Sequence, residues 1–230
     1  MEKQVFKVLD YIDDKGEEQT LNFECTTPHI LISGDAIEDI LALEKKMLKN
    51  LSDSNGKEVN LVVIDDKKVL PDDFFKGLEF NYISRSTEED AILFLDGYPS
   101  YKFMDRYSML IRFNLRNFTD LNESGKEHLK MLVYFFPSMS DNQKLHKALS
   151  RSATAIQVGV HIIAGIDFIL EKPQLLNGCE TRFSFPSKYK FKDMKFFTKF
   201  EKELPKTGNL WLKNKNGDVK PMTCAPEVGQ

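Results

Sequence analysis

Three aspartates stand where apolar runs stop. "VVIDD" ends in Asp65 and Asp66, and "LFLDG" carries Asp96. Carboxylates at strand ends are the hard oxygen ligands that Mg²⁺ takes in metal-assisted phosphoryl transfer. Aspartate is also an ordinary turn former, because its side chain accepts from backbone N–H groups a little further along the chain. The residue preferences favour the turn role. Metal-dependent phosphohydrolase or nuclease chemistry at Asp65, Asp66 and Asp96 stands as the alternative. No Walker lysine motif, GxGxxG, HExxH or GxSxG elbow occurs anywhere. Cys25, Cys179 and Cys224 lie far apart, as do His29, His128, His146 and His161, with no zinc or disulfide spacing. On this basis no catalytic residue, metal or cofactor is assigned.

A second cluster has the chemistry of anion binding. Residues 182–202, "RFSFPSKYKFKDMKFFTKFEK", hold seven Lys/Arg and seven aromatic rings. In strand geometry Lys188, Lys190 and Lys192 line one face, and Phe183, Phe185, Tyr189 and Phe191 the other. The bland account makes the rings core and the lysines a solvated row. The functional account adds Arg182 and Tyr189, and the helix "KDMKFFTKFEKEL" with Lys195 and Lys199. Such a row follows a phosphate backbone by displacing counterions, and exposed rings stack on bases. A basic amphipathic helix also suits an anionic bilayer surface. Arg112 and Arg116, read on the polar face of the strand "RYSMLIRFNLRNF", and Arg151 extend the patch. Arginine's planar fork of donors fits phosphate.

The charge distribution agrees with such a partner. Residues 1–107 carry 13 Lys/Arg against 23 Asp/Glu, a balance of −10, and residues 108–230 carry 19 against 12, a balance of +7. Opposite halves also suggest head-to-tail contact between copies, and hence a homo-oligomer.

These residues need elements to hold them. "QVFKVLDYI" and "QTLNFEC" read as a hairpin about "DDKGE", and "TTPHILIS" as a further strand. "SGDAIEDILALEKKMLKNL" is the clearest helix, with its acids early and its lysines late. "EVNLVVIDD", "DAILFLDGYPS", "RYSMLIRFNLRNF", "KMLVYFF", "AIQVGVHIIAGIDFIL" and "CETRFSF" read as strands. Helices are expected from Pro71 to Leu78 and in "SDNQKLHKALSRSATAI", with Ser140 or Asp141 as its cap. "NLWLKNKNGDVKPM" reads as a closing hairpin. Gly159 and Gly165 within a strand mark a bulge or a close approach of backbone. Strands in neighbouring runs with few helical crossovers predict an α+β fold. It would be a mostly antiparallel sheet with two to four helices packed on it.

The expected organisation is a single compact domain over 1–222, acidic to 107 and basic beyond, with a flexible tail over 223–230. No leader is visible in "MEKQVFKVLD", and no apolar run approaches the roughly 18 residues of a membrane span. Unpaired cysteines suit an intracellular, reducing, cytoplasmic setting. The function expected from sequence is a non-enzymatic binding and assembly protein. Its second half would bind single-stranded nucleic acid, RNA or ssDNA, before anionic lipid, and its acidic half would serve self-association. A protein-protein adaptor is a further alternative.

Overall fold

The computed structural model describes residues 5–26, 29–96, 101–167, 179, 181–185, 210–213 and 219–224. Ten strands and five α-helices occupy them. The chain opens with the hairpin β1 (Phe6–Ile12) and β2 (Glu18–Phe23), which forms its own two-stranded sheet. Its turn is held by Asp13, whose carboxylate accepts from the N–H groups of Lys15 and Glu17. β3 (Ile30–Gly34) leads into α1 (Ile37–Asn55), and then come β4 (Val59–Ile64) and β5 (Tyr82–Ser86). α2 (Glu88–Leu95), α3 (Tyr101–Phe113) and α4 (Phe118–Ser124) precede β6 (Met131–Phe136). α5 (Gln143–Arg151) and a 3₁₀ segment over Ser152–Val158 lead to β7 (Val160–Asp167). β8 (Thr181–Ser184), β9 (Leu210–Lys213) and β10 (Val219–Met222) complete the order.

The main sheet runs β10-β9-β8-β3-β7-β6-β4-β5. From β8 to β5 every neighbouring pair is parallel, giving six parallel strands. In this sheet only the pairings β8–β9 and β9–β10 are antiparallel. The fold is therefore α/β, and the expectation of a mostly antiparallel α+β sheet is corrected. The strands themselves explain why. β3 is buried at all five positions and β7 at seven of its eight. Continuous burial on both faces is what a parallel sheet between helical layers requires.

Two segments misled the pattern. "DAILFLDGYPS" and "RYSMLIRFNLRNF" read as strands, yet the first holds most of α2 and the second most of α3. Thr87 caps α2 by accepting from the Asp90 N–H, and short apolar runs fit a helix as well as a strand. Reading these helices as strands removed the crossovers that signal parallel pairing. Pro71–Leu78, expected to be helical, is a series of turns. α5 is present, capped by Asn142 rather than Ser140 or Asp141.

α1 lies on one face of the sheet, against β3 and β7, and packs on β1 as well. Phe74 stacks on Phe135 of β6 on this face, and Lys45 of α1 sits over the Phe74 ring. Tyr134, one residue earlier and so on the opposite face, meets Phe94 of α2 with ring centroids 5.1 Å apart. α2 in turn packs on α5. Near the C-terminal end, Thr223 exchanges two backbone hydrogen bonds with Ile12 of β1.

Candidate functional site

In the strand order β4, the strand after β3, lies to one side of β3, and β8, the strand after β7, lies to the other. In open parallel sheets ligands bind outside the carboxyl ends of the strands at such a reversal. The place to search is thus the C-terminal ends of β3, β6 and β7.

That crevice is packed shut. A Cβ on Gly34 would stand 3.3 Å from the Phe185 Cβ and 3.5 Å from Ile40 Cγ1. Phe185 is pinned there by its N–H, which donates to the Ser33 carbonyl at 2.9 Å. A Cβ on Gly165 would fall 2.6 Å from Ile40 Cγ2, 2.7 Å from the Pro137 carbonyl oxygen and 2.8 Å from Glu44 Oε1. The turn after β6 folds down onto β7: Met139 is fully buried and its N–H donates to the Gly165 carbonyl at 2.8 Å. Lys67 closes the turn from outside, its Nζ donating to the Met139 carbonyl at 2.5 Å and to Ser138 Oγ at 3.2 Å. Glu44, one helical turn after Ile40, is fully buried, and neither carboxyl oxygen has a partner among the described residues. Burial, which penalises the charged form, pushes its pKa well above the usual carboxylate range.

Among the described residues, several of those expected from sequence take part in local contacts. Asp65 is a turn residue, accepting from the N–H groups of Val69 and Leu70 at 2.8 and 3.2 Å. Asp66 accepts from the Glu88 N–H at the start of α2. Asp96 pairs with Arg151 at 2.7 Å. Among the described residues no three His, Cys, Asp or Glu side chains are grouped to hold a metal ion. Arg112 lies in the last turn of α3 over the Phe113 ring, and exposed Arg116 follows that helix. Arg182 is buried in β8, its Nε donating to Ser184 Oγ. Lys188, Tyr189, Lys190, Lys192, Lys195 and Lys199 lie outside the described residues.

Set beside solved structures, the whole chain superposes on ATPase domains. EssC (ATPases 2 and 3) from Geobacillus thermodenitrificans matches with a TM-score of 0.69 and 12% identity, over 98% of this chain and 46% of that one. The pCW3 conjugation coupling protein TcpA, a monomer form with ATPγS, gives 0.69 and 16%, over 97% and 66%. The cytoplasmic domain of the Thermomonospora curvata type VII secretion ATPase EccC gives 0.65 and 16%, over 100% and 30%. No family model and no curated protein matches. At these identities the likeness establishes the fold alone, an α/β fold shared with those ATPase structures. This chain spans less than two thirds of each of those three proteins.

This fold overturns the reading of a non-enzymatic RNA-binding, self-assembling protein. That reading set Arg112 and Arg116 on a strand continuing a cationic sheet face, and both belong to a helix and its exit. Among the described residues no helix is long and apolar enough to cross a membrane.

The fold raises the question of a nucleotide. On P-loop domains a GxxxxGK[ST] loop between strand and helix cradles the phosphates. Its lysine reaches them, its hydroxyl holds Mg²⁺, and an aspartate at another strand end supports the metal. Here only Asp35 and Ala36 separate Gly34, the last residue of β3, from α1, with no lysine and no hydroxyl. The first turn of α1 brings Glu38 and Asp39, which repel phosphate. β6 runs into Pro137 and Ser138, and Phe185 covers Gly34. These residues do not fit a nucleoside triphosphate and its metal. Sequence reading flagged Gly165 as a close backbone approach. It missed Glu44, although Glu44 sits four residues from both Ile40 and Leu48 on the apolar stripe of α1.

Proposed function

We propose that this chain is one ATPase-fold module of a multi-domain ATPase machine, with its own nucleotide crevice closed. It would contribute docking or regulatory contacts while ATP binding and turnover occur in a neighbouring module of the same fold. The observation that carries this is the two-residue passage from β3 to α1, with Phe185 seated on Gly34 and Met139 on Gly165. The extent of the match supports the modular part: nearly the whole chain covers about half of a protein whose name counts two ATPases.

The test is titration of a fluorescent ATP analogue with Mg²⁺ into the purified chain, alongside a phosphate-release assay. The expected result is no saturable binding and release at the buffer rate. Saturable Mg²⁺-dependent binding that unlabelled ATP displaces would overturn the proposal. So would turnover that survives removal of contaminating ATPases.

A further inference from the structure

On the sheet face away from α1 lies a pocket of about 580 Å³, within the range of small-molecule sites. Val62, Leu132 and Phe94 supply apolar walls, and Arg106 and Tyr134 supply polar groups. Arg106 is fixed along one side of its guanidinium. Its Nε donates to the Val158 carbonyl at 2.7 Å and its Nη2 to the Lys130 carbonyl at 2.8 Å. Gly159, at φ +73°, leaves room for this approach: a Cβ there would stand 3.1 Å from Arg106 Nη2. The two carbonyls use two of the five guanidinium N–H groups, and Nη1 has no hydrogen-bond partner among the described residues.

Tyr134 is buried, its ring is held by Phe94, and its hydroxyl likewise has no partner among the described residues. Burial keeps the phenol protonated, and Arg106, with its pKa lowered to about 10, is still charged at neutral pH. Two carbonyl bonds would account for a purely structural Arg106. They leave unexplained why a second donor, the Tyr134 hydroxyl, borders the same cavity. Asp105 also lines the pocket and is exposed, so it favours a positive charge at the solvent side.

We propose that this pocket binds a small aromatic carboxylate. Its anionic end would lie on Arg106 Nη1 and the Tyr134 hydroxyl, its ring against Phe94, Val62 and Leu132, and a cationic substituent beside Asp105. Carboxylate with arginine is the strong, charge-assisted pairing, and a neutral isostere forfeits it. The inference does not depend on whether the crevice at β3 binds nucleotide.

Isothermal titration calorimetry on the full chain tests it, with 4-(aminomethyl)benzoate, benzoate and benzamide as probes. The expected order of affinity is 4-(aminomethyl)benzoate, then benzoate, then benzamide. Asp105→Asn should bring the first down to the second. Tyr134→Phe, which keeps the ring on Phe94, should weaken both carboxylates about tenfold, as loss of a hydrogen bond to a charged group does. Ser84→Trp, on the edge strand at the pocket wall, should abolish binding of all three. If Tyr134→Phe does not fold, Ser84→Trp decides alone. The proposal fails if the folded chain gives no heat with benzoate, or if benzamide binds equally well. It also fails if benzoate binding is unchanged in Ser84→Trp or in a folded Tyr134→Phe.

Discussion

The two hollows of this sheet have opposite fates. At the carboxyl ends of β3, β6 and β7, where the topology invites a ligand, glycines bring α1, Phe185 and the turn after β6 into contact. Glu44, buried there, has its pKa pushed up by burial and no hydrogen-bond partner among the described residues. On the other face, over β4, β5 and β6, space remains, and Arg106 stays charged with one side of its guanidinium uncommitted. Strand order selects where a crevice forms, and side-chain volume decides whether it stays open. A fold position thus carries no activity of its own.

The comparison can be broken at its glycines first. Gly159→Ala should cost the most, about 3 kcal/mol. It combines a left-handed backbone at φ +73° with a Cβ only 2.8 Å from Phe118 Cγ. Urea denaturation measures the loss, and carboxylate binding should fall with it because Arg106 is displaced. Gly165→Ala should follow at about 2 kcal/mol, since its Cβ meets the Pro137 carbonyl, a backbone atom that cannot swing aside. If Gly165→Ala is as stable as the parent, the crevice is not closed and the proposed function loses its footing.

Glu44→Met should stabilise the chain by about 1–2 kcal/mol at pH 8, because it removes a buried carboxyl that makes no hydrogen bond. The gain should shrink on acidification. Burial raises the folded-state pKa of Glu44 above its unfolded value of 4.5. Its contribution is therefore fully present below pH 4.5 and is lost as pH rises through the folded pKa. Unfolding midpoints at pH 5 and pH 8 check the sign, and an equal gain at both would refute a buried, protonated Glu44.

His29 titrates in the other direction. Burial lowers its pKa from 6.5 to about 4 despite a hydrogen bond to the Ser152 carbonyl. Stability is full above pH 6.5 and should decline as pH falls toward 4. His161, also buried and stacked on Phe23 with its pKa depressed, adds to the same decline. His161→Phe should flatten the acid limb of a pH-stability profile. The smallest effect belongs to Asp96→Asn at the end of α2, a wall of the open pocket. Its pairing with Arg151 is exposed on both sides, so the loss should be about 0.5 kcal/mol or less in a thermal melt.

Much of the local structure was legible in the chain. The opening hairpin, α1, the strands at "VNLVVI" and "MLVYFF", and the tight approach at Gly165 follow from apolar period and turn chemistry. α2 and α3 were not. "AILFL" has no polar residue to set its period, and "SMLIRFNLR" alternates while also satisfying a helix that buries Leu110. The pocket was equally invisible, because Arg106 belongs to no motif. Its partners Lys130 and Val158 are 24 and 52 residues away.

The sequence by itself determined which short segments are apolar, where the opening hairpin turns, and that no GxxxxGK[ST] motif occurs. Those are matters of side-chain polarity, backbone freedom and residue identity, which act between near neighbours. Only the tertiary structure decided that the strands run parallel, that Glu44 is sealed against Gly165, and that Arg106 and Tyr134 share a cavity. Each of these depends on contacts between residues distant along the chain, whose free energy is realised only once the sheet has assembled.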